Sequence, residues 1–148
     1  MLLGERAVGD KVVVVGAGLI GCETALYLAD ELNRKVSIVE MLDEMLVGVQ
    51  FMCQLALKER LQELGVDIHL GWHLDEITDK GLICSDKMWQ RHQLEADTVV
   101  LATGLAARKR EVEQFKGLAA EVYIIGDCVE ARKIYHCFED AWRVALRV

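Results

Sequence analysis

The 148-residue chain has no proline, no Cys-x-x-Cys pair, few basic side chains and no apolar run long enough to cross a bilayer. Lacking also any internal repeat, low-complexity tract or Gly/Ser-rich stretch, it offers no strong sign of a domain boundary. The longest apolar stretch, Val12 to Ile20, is broken by glycines and followed by Glu23, short of the ~18 continuous residues that a membrane helix requires. No membrane partner is expected. The opening MLLGERAVGDK has no charged segment followed by an apolar one and a cleavage site, so it does not read as a signal peptide, and a cytoplasmic setting is expected. Cys22, Cys53, Cys84, Cys128 and Cys137 stand singly, which excludes a paired-cysteine redox, zinc or iron-sulfur motif; all five are expected as buried, reduced thiols. His69, His73, His92 and His136 form no recognisable ligand set, and no metal is expected.

Positive charge is scarce as well. Lysine and arginine number 17 against 24 acids, for a net charge of −7, which argues against a nucleic-acid surface. The one concentrated basic run, Arg108, Lys109 and Arg110, reads as a solvated loop rather than a phosphate clamp.

What is present is the composition of one globular domain: 53% hydrophobic and 28% charged residues, in a length that buries about 68% of its unfolded surface. Val12 to Val15 is a continuous β-branched run, the pattern of a parallel strand buried on both faces. After Gly16 the spacing turns helical, with Leu19, Cys22, Leu26, Ala29 and Leu32 near one face and a stop at Asn33 or Arg34. Val36 to Glu40 is a second strand, so residues 11–40 form a βαβ unit with a right-handed crossover.

Phe51 to Leu64 is a second helix, with Cys53, Ala56, Leu57, Leu61 and Leu64 as its apolar stripe and Gly65 as its cap; Val66 to Leu70 is a further strand. Alternating segments at His73–Thr78, Gly81–Ser85 and Met88–Gln93, divided by Asp-Lys turns, read as an antiparallel meander. Thr98–Ala102 and Val122–Ile125 read as buried strands, Glu111–Phe115 as a short helix and Ile134–Val148 as a terminal helix. Leu105 to Ala120 is the weakest stretch, a candidate hinge or interdomain crossing. The expected fold class is α/β: a Rossmann-like parallel sheet flanked by helices, with an antiparallel β-meander.

Gly16-Ala17-Gly18-Leu19-Ile20-Gly21 has G-x-G-x-x-G spacing, after a strand and opening a helix. Gly16 permits the tight turn, Gly18 lets a pyrophosphate approach the backbone, and Gly21 lets the helix lie close to the sheet. The amides of the first helical turn point at the phosphates, and the helix dipole places roughly half a positive charge there, so an acidic protein can hold a dinucleotide. Glu40, about 20 residues further on at the end of the second strand, is at the spacing of a carboxylate that binds the adenosine ribose. Glu40 would repel a 2′-phosphate, and Met41, Leu42, Asp43 and Glu44 offer no arginine to receive one, so NAD(H) is favoured over NADP. S-adenosylmethionine binding also uses a glycine loop after a first strand, but Val15 stands in an apolar run without the acid usual ahead of that loop.

The ordered strings KVVVVGAGLIGCETALYLA, VSIVEML, DTVVLATG and EVYIIGDC resemble the pyridine nucleotide-disulfide oxidoreductase superfamily. They are most similar to the NADH-binding, C-terminal part of NADH:flavin oxidoreductases of the 2,4-dienoyl-CoA reductase and trimethylamine dehydrogenase type. The resemblance covers nearly the whole chain. It implies that Gly16 to Gly21 is the second of two glycine motifs, the one serving the nicotinamide nucleotide, and that Val100–Gly104 returns the chain towards a flavin domain, adding Thr103 and Gly104 to the site. It also implies that Asp127 matches an aspartate that bonds the flavin ribityl chain, within a segment 121–148 similar to part of the flavin domain. Glu23 matches a glutamate near the nicotinamide, and is read here as an exposed acid outside the expected site.

The resemblance therefore implies one NAD(H)-binding domain, residues 1–148, belonging to a longer flavoprotein whose other partners are a flavin domain holding FAD and a barrel with FMN and an iron-sulfur cluster. In that parent, hydride would pass from NADH to flavin; this chain alone would hold no FAD and would be inactive. A non-catalytic module sensing NAD or ADP is the alternative. Apolar surface left without its neighbour makes a homodimer an expectation.

Overall fold

The computed structural model describes residues 7–148; residues 1–6, part of the segment read above for a signal peptide, lie outside the described residues. The chain divides into two compact units, Met1–Gly104 and Leu105–Val148.

In the first unit, β1 (Lys11–Val15), β2 (Lys35–Glu40), β3 (Asp67–Leu70) and β7 (Thr98–Leu101) form a parallel sheet in the order β3-β2-β1-β7. The continuous apolar run of β1 is explained by cover on both faces. Val12 and Val14 face a core shared with Cys22, Ala25, Leu28, Ile38, Leu46 and Leu61. Val13 and Val15 join Val39, Leu82 and Cys84 on the opposite face. Each fully buried valine contributes about 1.5–3 kcal/mol, so β1 is the strand that the rest of the unit is assembled around.

The helices α1 (Leu19–Asp30) and α2 (Phe51–Glu63) supply the first of these cores. α1 ends at Asp30, before the expected stop, because Leu32 and Arg34 donate their amides back to the carbonyls of Tyr27 and Leu28 while Asn33 turns left-handed at φ 50°. Of the stripe expected on α2, Leu61 is buried and Leu57 and Leu64 are partly covered, whereas Cys53 and Ala56 are exposed; the helix touches its neighbours along a narrower seam than the apolar spacing suggests. Gly65 caps it at φ 68°, donating to Gln62.

The second face is covered by an antiparallel sheet, β4 (His73–Thr78), β5 (Gly81–Ser85) and β6 (Arg91–Glu95), in the order β4-β5-β6. Leu82 and Cys84 on β5 point into the core beneath β1 and β2. The third segment of the meander begins later than expected: Asp86 captures the amides of Met88 and Gln90 through Oδ1, at 2.8 and 2.9 Å, and Trp89 adopts φ 59°, so a turn occupies residues predicted as strand.

The second unit holds α3 (Lys109–Glu113), a single tight turn at Gly126–Cys128 and α4 (Ile134–Ala145). Val122–Ile125, expected as a buried strand, is no strand: it pairs with no sheet among the described residues, and its side chains are 38–42% exposed. The apolar run is there, but a strand needs a neighbour to receive its backbone hydrogen bonds. No helix among the described residues is long and apolar enough to cross a membrane.

The expectation of five buried thiols is corrected. Cys22 and Cys84 are buried, Cys137 is half-buried, and Cys53 and Cys128 are exposed; all five are free. Burial pushes the thiols of Cys22 and Cys84 up to about 11, so both stay protonated and unreactive at neutral pH.

Candidate functional site

In the first unit, β1 has β2 on one side and β7 on the other, reached by connections that run in opposite directions along the sheet. This is the topological switch at which parallel α/β sheets open a crevice beyond their carboxyl ends. A cavity of about 550 Å³ lies there, walled by Val15, Val39, Leu42, Trp72 and Ala102 and bordered by Gly16, Gly18, Glu40, Met41, Thr103 and Gly104. Six of the residues expected from the sequence thus meet around one space.

The three glycines of the loop meet different surroundings. A Cβ on Gly16, whose φ is 108°, would stand 2.4 Å from the carbonyl oxygen of Ala102, and one on Gly21 would stand 1.9 Å from that of Gly16. Both glycines are demanded by packing. A Cβ on Gly18 would meet nothing within 4 Å. The fold leaves that space open at the edge of the cavity, where the bare backbone of Gly18 forms part of the lining.

Gly18 is also the N-cap of α1, with extended backbone and no capping side chain. The first amide to bond back into the helix is that of Cys22, onto the Gly18 carbonyl at 3.0 Å. The amides of Leu19 and Ile20 have no acceptor among the described residues, and both residues are exposed, Ile20 at 62%. These unpaired N–H groups stand at the positive end of a helix dipole, directly after Gly18 of the cavity lining, a setting whose electrostatics suit an anion.

Glu40 is buried, at 9% exposure, and neither carboxylate oxygen is idle. Oε2 accepts the Ala17 amide at 2.7 Å and Oε1 accepts the Leu42 amide at 2.8 Å. Each oxygen keeps a second lone pair for a ligand hydroxyl. Ala17, one of the residues expected at the site, has its amide engaged by Glu40 and its side chain buried in the core, and it does not line the cavity. Gly21 is likewise buried, so its part is to bring α1 close.

The sequence reading missed Trp72, Leu42, His73 and Leu74, which complete the cavity. Trp72 is delivered there by its amide, which donates to the Glu40 carbonyl at 2.9 Å, and its ring is stacked between His69 and His92 at centroid distances of 4.3 and 4.1 Å. The available signal was its position just past β3, at the carboxyl edge of the parallel sheet. Burial lowers the pKa of His69 below its ordinary value, favouring a neutral ring against the indole.

Asp127 lies in the second unit, exposed, where its Oδ1 accepts the Arg132 amide at 3.2 Å. Glu23 is exposed on α1. Among the described residues no group of three or more His, Cys, Asp or Glu side chains could hold a metal ion.

Residues 2–144 match the family described as pyridine nucleotide-disulphide oxidoreductase. The chain belongs to that family. Its members use NAD(H) and FAD. The chain is 31% identical over 140 residues to an NADH oxidase of Thermoanaerobacter brockii, covering 94% of this chain and 21% of that protein. It is 28% identical over 152 residues to a cinnamate reductase of Clostridium sporogenes, covering 100% of this chain and 22% of that one. Among solved structures, a 2-naphthoyl-CoA reductase superposes with a TM-score of 0.86 at 30% identity, over 99% of this chain and 22% of its own. The chain thus spans about a fifth of the length of these relatives.

Within this family the open position at Gly18 is intelligible. The residues present fit the pyrophosphate of a dinucleotide: a cradle that a Cβ would invade, unpaired amides beside it, and a carboxylate at the neighbouring strand end.

Proposed function

We propose that this chain is the NAD(H)-binding module of a flavin-dependent NADH oxidoreductase. The observation that carries the reading is the meeting at one cavity of a Cβ-free Gly18 and the Glu40 carboxylate, with the unpaired amides of Leu19 and Ile20 following Gly18 directly in the chain. The amides receive the pyrophosphate. Glu40 offers its remaining lone pairs to the adenosine ribose. Met41, Thr103 and Gly104 border the remainder of the dinucleotide, beside an apolar wall that includes Leu42 and Trp72.

The chemistry that NADH supplies when bound is hydride donation, and in the longer protein to which the relatives point the acceptor is a flavin. FAD is assigned to that longer protein. Asp127, the residue here that resembles a flavin ligand, already has Oδ1 engaged by the Arg132 amide, and no second glycine loop stands in the sequence to hold an ADP moiety. The flavin domain and the FMN and iron-sulfur barrel are the remaining parts of the proposed parent.

Selectivity for NADH follows from charge. A 2′-phosphate beside Glu40 would meet a second acid in Asp43, and Lys87, which reaches this loop, is already paired with Asp43. Fluorescence titration of the chain with NADH and NADPH tests the reading. The expected result is saturable NADH binding, at least about tenfold weaker NADPH binding, and loss of both in Gly18→Val. Equal affinity for the two nucleotides contradicts the ribose assignment.

A further inference from the structure

The Glu40 carboxylate holds together two segments that are far apart in sequence. Through Oε2 it accepts the amide of Ala17, in the middle of the glycine loop, and through Oε1 that of Leu42, at the start of the connection from β2 to α2. That connection returns to the same loop residue: the Leu46 amide donates to the Ala17 carbonyl at 2.8 Å. Ala17 is therefore gripped at its amide and at its carbonyl by residues 40–46.

The second grip is made under constraint. Leu46 is fully buried and has a φ of 61°, a conformation that leucine rarely adopts and that persists only where the surroundings enforce it. Cys22 adds a weak contact from its thiol to the Ala17 carbonyl at 3.4 Å. Next along the chain stand Gly18, Leu19 and Ile20, whose backbone is the proposed phosphate cradle, so the setting of Ala17 determines where those amides point.

We infer that Glu40 is a positioning residue for the glycine loop as well as a ribose ligand, and that its carboxylate sets the geometry of the phosphate cradle before any nucleotide arrives. The inference rests on the nucleotide reading above and deepens it. Glutamine would test it, because an amide group has one acceptor oxygen and its NH₂ can receive neither backbone N–H. In Glu40→Gln, either the Ala17 amide, whose hydrogen bond is buried, or the Leu42 amide, whose hydrogen bond is partly buried, loses its partner, and the loop is released at one end.

Two readouts separate this role from ribose binding and from general stability. The first is amide hydrogen exchange of the ligand-free chain. Glu40→Gln is expected to raise exchange at least about tenfold at whichever of the Ala17 and Leu42 amides loses its acceptor, while leaving the Val14 and Ile38 amides of β1 and β2 unchanged. The second is the affinity for inorganic pyrophosphate, which has no ribose and is expected to weaken about tenfold in the same variant. Glu40→Asp, which keeps the charge on a shorter stem, is expected to fall between the two, and it carries the same comparison if the glutamine variant does not fold. Unchanged exchange at both Ala17 and Leu42 together with unchanged pyrophosphate affinity, while NADH binding weakens, overturns the inference and leaves Glu40 as a ribose contact alone. Failure of the unsubstituted chain to bind either ligand contradicts the nucleotide reading instead, and the exchange at Ala17 and Leu42 then decides the loop-positioning role by itself.

Discussion

Gly21 lies so close to Gly16 that a Cβ on the first would stand 1.9 Å from the carbonyl oxygen of the second. The contact brings the start of α1 onto the turn that leaves β1, and it separates the demands on the three loop glycines. Gly16→Ala and Gly21→Ala are each expected to destabilise the chain by about 1–3 kcal/mol, through strain and overpacking. Gly18→Ala, with nothing within 4 Å of its new carbon, is expected to stay within about 0.5 kcal/mol of the original while weakening NADH binding. Urea denaturation beside NADH titration checks the split; equal destabilisation by all three substitutions contradicts it.

The buried and exposed thiols are expected to react on different timescales. Cys53 and Cys128 should label rapidly with a thiol reagent at pH 8. Cys22 and Cys84, fully buried and pushed up to about 11, should label only as fast as the chain opens. Mass spectrometry of timed labelling reads the order, and rapid modification of Cys84 would contradict the packing of β5 against the parallel sheet.

Much of this was legible in advance. The β1 run, the glycine spacing and Glu40 announce the parallel sheet and its crevice because local constraints there are strong: burial on both faces, a turn only glycine can make, and an acid at a strand end. Trp72 was not legible, since its place in the cavity depends on a hydrogen bond to the Glu40 carbonyl across two strands. Nor was the double engagement of Glu40, because spacing locates a carboxylate without revealing which amides reach it. Val122–Ile125 misled for the opposite reason: its composition suits a strand, and pairing is a property of neighbours rather than of the segment.

Asp86 ties the turn before β6 to acid stability. Its carboxyl is held below its ordinary value of 3.8, chiefly by the hydrogen bond with His92 at 2.9 Å and then by the Gln90 amide. A depressed folded-state value means that this stabilisation is complete above about pH 4 and is lost as pH falls below it. Asp86→Asn is expected to lower the urea midpoint at pH 7 and to lose less on going from pH 5 to pH 3 than the original chain does. Parallel pH profiles for the two proteins would contradict the assignment.

Along α4, Ile134, Phe138 and Trp142 recur every fourth residue with exposures of 76, 71 and 68%. An apolar stripe of this kind favours self-association of the chain in isolation. Light scattering is expected to show a mass that rises with concentration, and Phe138→Lys with Trp142→Lys should hold it near 16.6 kDa. A monomer at every concentration contradicts this.

The role of the glycine loop is tested most directly by following the backbone amides of the ¹⁵N-labelled chain during titration with NAD⁺. The largest shifts are expected at Gly18, Leu19 and Ile20, accompanied by Leu42 beside Glu40 and by the Trp72 side chain. Saturable shifts confined to other surfaces, with the three loop amides unmoved, would contradict the proposal that unpaired peptide groups at the opening of α1 receive the dinucleotide.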